Sequence, residues 1–410
     1  MSTVESNRAL LASGLATRAQ GLGELIISNS SAIYENGVFW QTNMSNTQHN
    51  LKFAALMATL VRNTTSDARK AAYLRMIVES VERELSVNAI DGIFTGGTTM
   101  PPDTAYYQGP WEGAVTLVAN DPTATIPLVI DLAWICHQLP AGTISAARRK
   151  RWIAACQANC DLLDSWPGEP ITSFYINGNY MAQLCSCYAL TATVSQPSLA
   201  ARYWDMYERA YFFMLYPNTV TPGRWINYGL TIDVAGTDYN WDDYEAHLSE
   251  NHGEVPGPVL NFDWNYSQYT LDILARQIVI TRDTRMIRLL NAISNKIAPR
   301  IQDETAPTLA WTFNGTGGSR QNNYTNMATA YLPVQSLIRE KEFLTTLLTP
   351  AKVFSCWDLL IGLDLGPANG QITALGGAAY AMGRMPGGIV AGIANVAVVR
   401  YCAEITTVWA

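Results

Sequence analysis

ARKAAYLRMIVESVEREL, residues 68–85, decides the fold class. Wound at about 3.6 residues per turn, it brings Ala72, Leu74, Ile77, Val78, Val81 and Leu85 near one face. Its Arg, Lys and Glu side chains take the remaining surface. An apolar stripe at this period marks an amphipathic helix that must bury one side against a partner. The same period recurs outward along the chain. The spacing predicts helices over Ile126–Leu139, Ala146–Leu163, Tyr180–Thr193, Ala200–Leu215, Tyr269–Ile280 and Thr284–Ile297, with two more at Ala328–Arg339 and Glu342–Leu348. Ala54–Val61 reads as an apolar helix opening, and the N-terminal stretch MSTVESNRALLASGLATRAQGLGEL as a further helix.

A crude pattern recurs at the helix starts: ARKAAYLRMI from 68, ARRKRWIAAC from 147, ARYWDMYERA from 201 and TRDTRMIRLL from 281. Each has an Arg-rich opening, a large apolar residue and then an apolar stripe. The spacing is too irregular for a strict solenoid, so paired helices with inserted loops are expected. Ser66 or Asp67, and Thr143 or Ser145, are the candidate N-caps. No low-complexity linker divides the chain, which reads as one mainly α domain over 1–410 with few short strands.

The chain has 410 residues, 48% hydrophobic and 15% charged, which supports a large core and excludes a disordered chain. Its formal net charge is −7, and its densest basic run, Arg148-Arg149-Lys150-Arg151, reads as the first turn of a helix. Nucleic acid is therefore not an expected partner. The longest apolar stretch, Gly387 to Val399, is too short to span a bilayer, so no membrane association is expected. No charged-then-apolar leader opens the sequence. A secreted, extracellular form or a virion component is the favoured setting, and oligomeric state is not legible. The seven cysteines, Cys136, Cys156, Cys160, Cys185, Cys187, Cys356 and Cys402, form no CxxC pair. They read as small buried hydrophobes rather than zinc ligands, and no metal and no organic cofactor is implied.

The segments between helices are long and unusual. Gly92–Gly113 holds Tyr106-Tyr107-Gln-Gly-Pro-Trp111. Pro217–Pro258 holds Trp241, Asp242, Asp243, Glu245, His247 and His252. Ala306–Asn326 holds GTGGSRQNN with Arg320 and Asn323. Loops of this length in a compact domain usually carry function. Two further constellations sit at helix mouths. Tyr175-Ile-Asn177-Gly-Asn179-Tyr180 concentrates amide donors before a helix, where an N-cap is the simpler reading for either Asn alone. Trp264-Asn-Tyr266-Ser-Gln-Tyr269 opens another: Tyr269 suits a core stripe, and Tyr266 suits an exposed phenol. Of the four histidines, His247 and His252 share a polar loop suited to acid–base work or, with Asp242, Asp243 and Glu245 adjacent, to metal binding, His137 reads as structural, and His49 as an exposed or capping residue.

This ordered set resembles that of the helical-toroid polysaccharide lyases, the group of hyaluronan, chondroitin, xanthan, alginate and heparinase-like enzymes. The likeness covers residues 150–325. Its best local match is WNYSQYTLDIL, where a Tyr opens a helix with an Asp six positions on, here Tyr266 and Asp272. The resemblance implies an (α/α) toroid, or an incomplete one, that cleaves a uronic-acid glycan by β-elimination. It implies Tyr266 as base and acid, Asn179 or Asn177 as carboxylate neutraliser, His252 as its helper, and Arg320 holding the anionic polysaccharide. His247, Tyr107, Trp111, Trp241, Trp264 and Asn323 would line the substrate groove, and Trp40 is a further candidate for stacking on sugar faces. The family's tandem Trp and Glu after the Asn are absent here, and His252 stands 14 positions before Tyr266.

Three other readings use the same sequence. A glycoside hydrolase on the same scaffold would draw a carboxylate pair from Asp103, Glu112, Asp242, Asp243, Glu245 and Asp263. A terpene cyclase would use Asp242-Asp243, but lacks the third carboxylate and a second metal motif. A carbohydrate-binding or virion protein would keep the aromatics without needing Tyr266 or Arg320.

Overall fold

In the computed structural model the described residues are 3–28, 34–35, 37–39, 45–87, 89–90, 93–94, 98–99, 122–164, 178–215, 264–283 and 286. They form eight helices: α1 Thr3–Ser28, α2 Thr47–Asn63, α3 Asp67–Val87, α4 Pro122–Gln138, α5 Ala146–Asp164, α6 Gly178–Val194, α7 Pro197–Leu215 and α8 Trp264–Thr281. Extended structure among them is limited to two-residue strands. β1 (Tyr34–Glu35) pairs with β2 (Val38–Phe39), β3 (Ser45–Asn46) with β6 (Thr98–Thr99), and β4 (Ala89–Ile90) with β5 (Ile93–Phe94), all antiparallel. The described part of the protein is thus mainly α.

Local signals set most of the boundaries. The Ser66 hydroxyl accepts from the Arg69 amide at 3.4 Å, and that of Ser145 from the Arg148 amide at 3.2 Å, so each is an N-cap. Thr143 turns its hydroxyl back to the Pro140 carbonyl instead, at 2.7 Å. Pro122 and Pro197 open α4 and α7, where a missing amide proton costs nothing. Periodicity alone places several starts too late. α2 begins at Thr47 rather than Ala54, which puts His49 in its first turn, and α4 includes His137. α6 begins at Gly178 and α8 at Trp264, so Asn179 and Tyr266 lie inside first turns rather than before them. Helix starts carry polar and capping residues that blur the stripe. The helices expected at 284–297, 328–339 and 342–348 lie outside the described residues, Met286 excepted.

The helices pack as a row of hairpins. α2 packs on α4, α4 on α6 and α6 on α8; α3 packs on α2, α5 on α4 and α6, and α7 on α6. Side-chain bonds give the directions. Trp134 reaches Thr59 at 3.2 Å and Arg62 reaches Gln138 at 3.4 Å, so α2 and α4 are parallel. Arg149 bonds the Cys136 carbonyl and Cys156 faces that of Val129, so α5 runs against α4. Gln157 donates to Ser195 and Cys160 to Thr191, so α6 runs against α5. Arg202 pairs with Asp161 and Arg209 with Asp164, so α7 is parallel to α5. Hence α2, α4 and α6 point one way, and α5 and α7 the other.

α4 is the middle of this packing. Ile126, Leu128, Val129, Ile130, Leu132, Ala133, Trp134, Ile135 and Cys136 are all buried, which is every side of the helix. A helix apolar all round belongs in a core, and neighbours on several sides satisfy that demand. α1 lies on α2 through Gly23, where a Cβ would stand 2.6 Å from Leu60 Cδ1 and from the Tyr73 hydroxyl. Gly37, at φ +84°, makes the β1–β2 turn, and a Cβ there would meet the Glu79 carbonyl at 2.4 Å. Asn50 holds this turn down. Its amide donates to the Gly37 carbonyl at 2.8 Å and to Glu84 Oε1 at 2.7 Å, and Asn50 and Glu84 are both fully buried. The Tyr34 hydroxyl adds a bond to Glu79 Oε2 at 2.5 Å, and burial with that neighbouring carboxylate pushes its pKa up.

The basic run at 148–151 is structural. Arg149 donates to the carbonyls of Cys136, Leu139 and Pro140 at 2.6, 2.7 and 3.0 Å. These groups at the end of α4 have no partner within the helix, and a guanidinium there also meets the negative end of the helix dipole. Arg148 and Arg151 both bond Glu82 of α3, as does the Trp152 indole at 3.0 Å. Partial burial pushes the Glu82 carboxyl up, but the bonds from Arg151, Trp152 and Arg148 outweigh it and hold its pKa below the ordinary Glu value. A carboxylate with a depressed folded pKa contributes stability that is complete above the unfolded value, about 4.3, and is lost as pH falls through the folded one. Glu82→Gln should therefore be less stable than the parent at neutral pH. The gap should close between about pH 4.3 and the lower folded pKa. Urea midpoints measured from pH 3 to 7 check this, and a gap of constant size would contradict it.

Candidate functional site

Asn179 is the second residue of α6, and Tyr266 the third of α8, which opens on Trp264. α6 and α8 pack directly against one another. Two of the residues singled out by the lyase resemblance are thus in the first turns of two contacting helices. Asn177, His247, His252, Arg320, Asn323, Tyr107, Trp111 and Trp241 lie outside the described residues, as do Trp40 and the carboxylates Asp103, Glu112, Asp242, Asp243, Glu245 and Asp263. Gln183, which follows Asn179 by one helical turn, is buried.

What holds these two helices is a polar network inside the core. Arg276 of α8 makes an ion pair with Asp131 of α4, and both side chains are 1% exposed. The Arg276 guanidinium also lies over the Trp134 ring, 5.9 Å from its centroid. The Trp134 indole donates to the Thr59 hydroxyl of α2 at 3.2 Å, and Thr59 passes its proton to the Ala55 carbonyl at 2.9 Å. Beside Arg276, Gln277 accepts from the Ser186 hydroxyl of α6 at 2.5 Å. The network therefore ties α8 to α4 and α6, and α4 onward to α2. At its far end Asp283 accepts a bond from the Tyr207 hydroxyl of α7.

The chemistry of the network is positional. A guanidinium and a carboxylate buried this deeply cannot meet a polymeric substrate. Each would be costly alone, and their opposite charges, with the indole face over the guanidinium, offset part of that cost. Reading by periodicity overlooks them because Asp131 sits in LVIDLAWI and Arg276-Gln277 in DILARQIVI, both otherwise apolar. The signal was available: a charge inside a helix buried on every side needs an opposite charge on a neighbour.

His137, in the last turn of α4, is half-buried; burial and the nearby Arg62 push its pKa down, which favours the neutral ring. Five cysteines, Cys136, Cys156, Cys160, Cys185 and Cys187, are buried free thiols, as their apolar settings suggested; Cys356 and Cys402 lie outside the described residues. Among the described residues no group of three His, Cys, Asp or Glu is placed to hold a metal ion, and no helix is long and apolar enough to cross a membrane.

No protein-family model matches the sequence, and neither a curated protein nor a solved structure matches the chain.

Breaking the core ion pair should be expensive. Asp131→Asn or Arg276→Met alone should cost about 3–5 kcal/mol, because each strands a buried charge. The joint replacement Asp131→Leu with Arg276→Met should recover most of that loss. Chemical denaturation of the three variants measures it, and single losses under about 1 kcal/mol would mean that water reaches the pair.

Proposed function

We propose that this protein is a polysaccharide lyase that cleaves a uronate-containing glycan by β-elimination on an (α/α) toroid, complete or partial. The observation that carries the proposal is the contact between α6 and α8, whose first turns hold Asn179 and Tyr266. The row of parallel helices flanked by antiparallel partners supports the toroid reading. Repeating such a hairpin around an axis brings the N-terminal ends of the inner helices to one end of the ring.

The residue types suit the reaction. The proton α to a uronate carboxylate is very weakly acidic while that carboxylate keeps its charge. Amide, imidazole and guanidinium donors that neutralise it stabilise the enolate-like anion formed when the proton leaves. In the proposed scheme Asn179 and His252 bind the carboxylate, and Arg320 holds the anionic chain. The Tyr266 phenolate takes the α proton. The electron pair then forms the C=C bond as the glycosidic oxygen departs, and the phenol returns a proton to that oxygen. A nearby guanidinium favours the phenolate that starts the cycle. Trp264 beside it, with Tyr107, Trp111 and Trp241 from the long loops, would stack on sugar rings, and His247, Asn177 and Asn323 would complete the groove. The fixed packing of α8 matters because a phenol serving as both base and acid tolerates little displacement.

Incubation with a panel of uronate polysaccharides tests the scheme. Chain cleavage should be accompanied by the ultraviolet absorbance of a new C=C bond conjugated to the carboxylate. Tyr266→Phe should lower turnover by about 10²–10⁴-fold while polymer binding persists. New reducing ends without that absorbance would indicate hydrolysis, and full turnover by Tyr266→Phe would remove the phenol from the chemistry.

A further inference from the structure

The interface of α4, α5 and α6 contains a line of thiols. Cys156, on α5, faces the Val129 carbonyl of α4 at 3.9 Å. One helical turn on, Cys160 lies 3.7 Å from Cys187 of α6, sulfur to sulfur. Both are fully buried. The Cys160 thiol also sits 3.3 Å from the Thr191 hydroxyl and 4.0 Å from the Cys187 carbonyl, which hold it against α6.

We propose that Cys160 and Cys187 form an intramolecular disulfide between α5 and α6 when the chain meets a disulfide oxidant such as glutathione disulfide. A disulfide needs its sulfurs at about 2.05 Å, so the pair must close by about 1.7 Å, a distance small side-chain rotations cover. Packing already holds the two thiols together, so the entropy of bringing them into contact is spent by the fold rather than by the bond. The step balances as two exchanges. One cysteine thiolate attacks glutathione disulfide, forming a mixed disulfide and releasing one glutathione thiolate. The second cysteine then attacks the protein sulfur of that mixed disulfide and releases the other. Two thiol protons leave, the cysteine pair is oxidised by two electrons, and the oxidant is reduced to two glutathiones.

Access limits the rate. Burial pushes the Cys187 thiol well above its ordinary range, so Cys187 supplies little thiolate in the folded chain. Oxidation is therefore expected during folding, or through transient opening of the α5–α6 contact, and not as a fast response of the native state. The inference is independent of the proposed lyase activity.

The experiment refolds the full reduced chain in a glutathione/glutathione disulfide buffer and then alkylates every remaining free thiol with iodoacetamide in denaturing guanidinium, which exposes the buried cysteines. A parallel sample equilibrates the folded chain in the same buffer with sub-denaturing urea. In both, two of the seven cysteines should resist alkylation. Both partners lie between Arg151 and Arg202, with no Lys or Arg between those two, so trypsin would leave them in one peptide. Chymotrypsin, which can cut after Tyr175 and Tyr180, should yield two peptides joined through Cys160 and Cys187 and separable by reductant. Cys160→Ala and Cys187→Ala should each restore alkylation of the surviving partner. Seven alkylated cysteines in both samples, a stable mixed disulfide with glutathione, or a bond between any other pair would overturn the proposal.

Discussion

The buried ion pair of Asp131 with Arg276 sets the position of α8. Most contacts around it are apolar, and apolar contacts are less directional than a charge pair. With both groups 1% exposed, moving α8 by a few ångströms would leave a carboxylate and a guanidinium facing hydrocarbon. The indole of Trp134 and the Ser186–Gln277 bond narrow the choice further, because each has a direction as well as a distance. Replacing such a pair by well-packed hydrophobes is often neutral in stability, so its contribution here is placement more than free energy.

Charge serves a different purpose at the edges of the same row. Arg148 and Arg151 clasp Glu82 where water still screens them, and Arg149 closes the end of α4 by bonding three carbonyls. Such exposed bonds are individually weak. Their value lies in satisfying backbone groups and in choosing which helix lies beside which. This also explains why the densest basic run implies no anionic partner: its cations are occupied within the chain, apart from the exposed Lys150.

Much of the fold was legible in the sequence. The stripe over 68–85, the all-apolar run of α4 and the capping serines Ser66 and Ser145 each reflect local physics that needs no neighbour. The starts of α2, α6 and α8 were less so, because first turns are polar whether or not they are helical. For the site, Asn179 and Tyr266 stood out as polar groups at helix mouths. Their chain separation says nothing of whether their helices touch. That contact, and the thiol pair Cys160–Cys187, arise between different helices, where spacing along one helix has no say.

The sequence by itself determined that the described part of the chain is helical, where most of its described helices run and that the cysteines of α4, α5 and α6 are core residues, because period, capping and burial preference act within a few residues. Only the tertiary structure decided which helices are neighbours, that α2, α4 and α6 run parallel, and that Asp131 answers Arg276. Those outcomes depend on pairing charges and filling volume between different helices, across 145 positions for Asp131 and Arg276 and 75 for Thr59 and Trp134, where local preference has no reach.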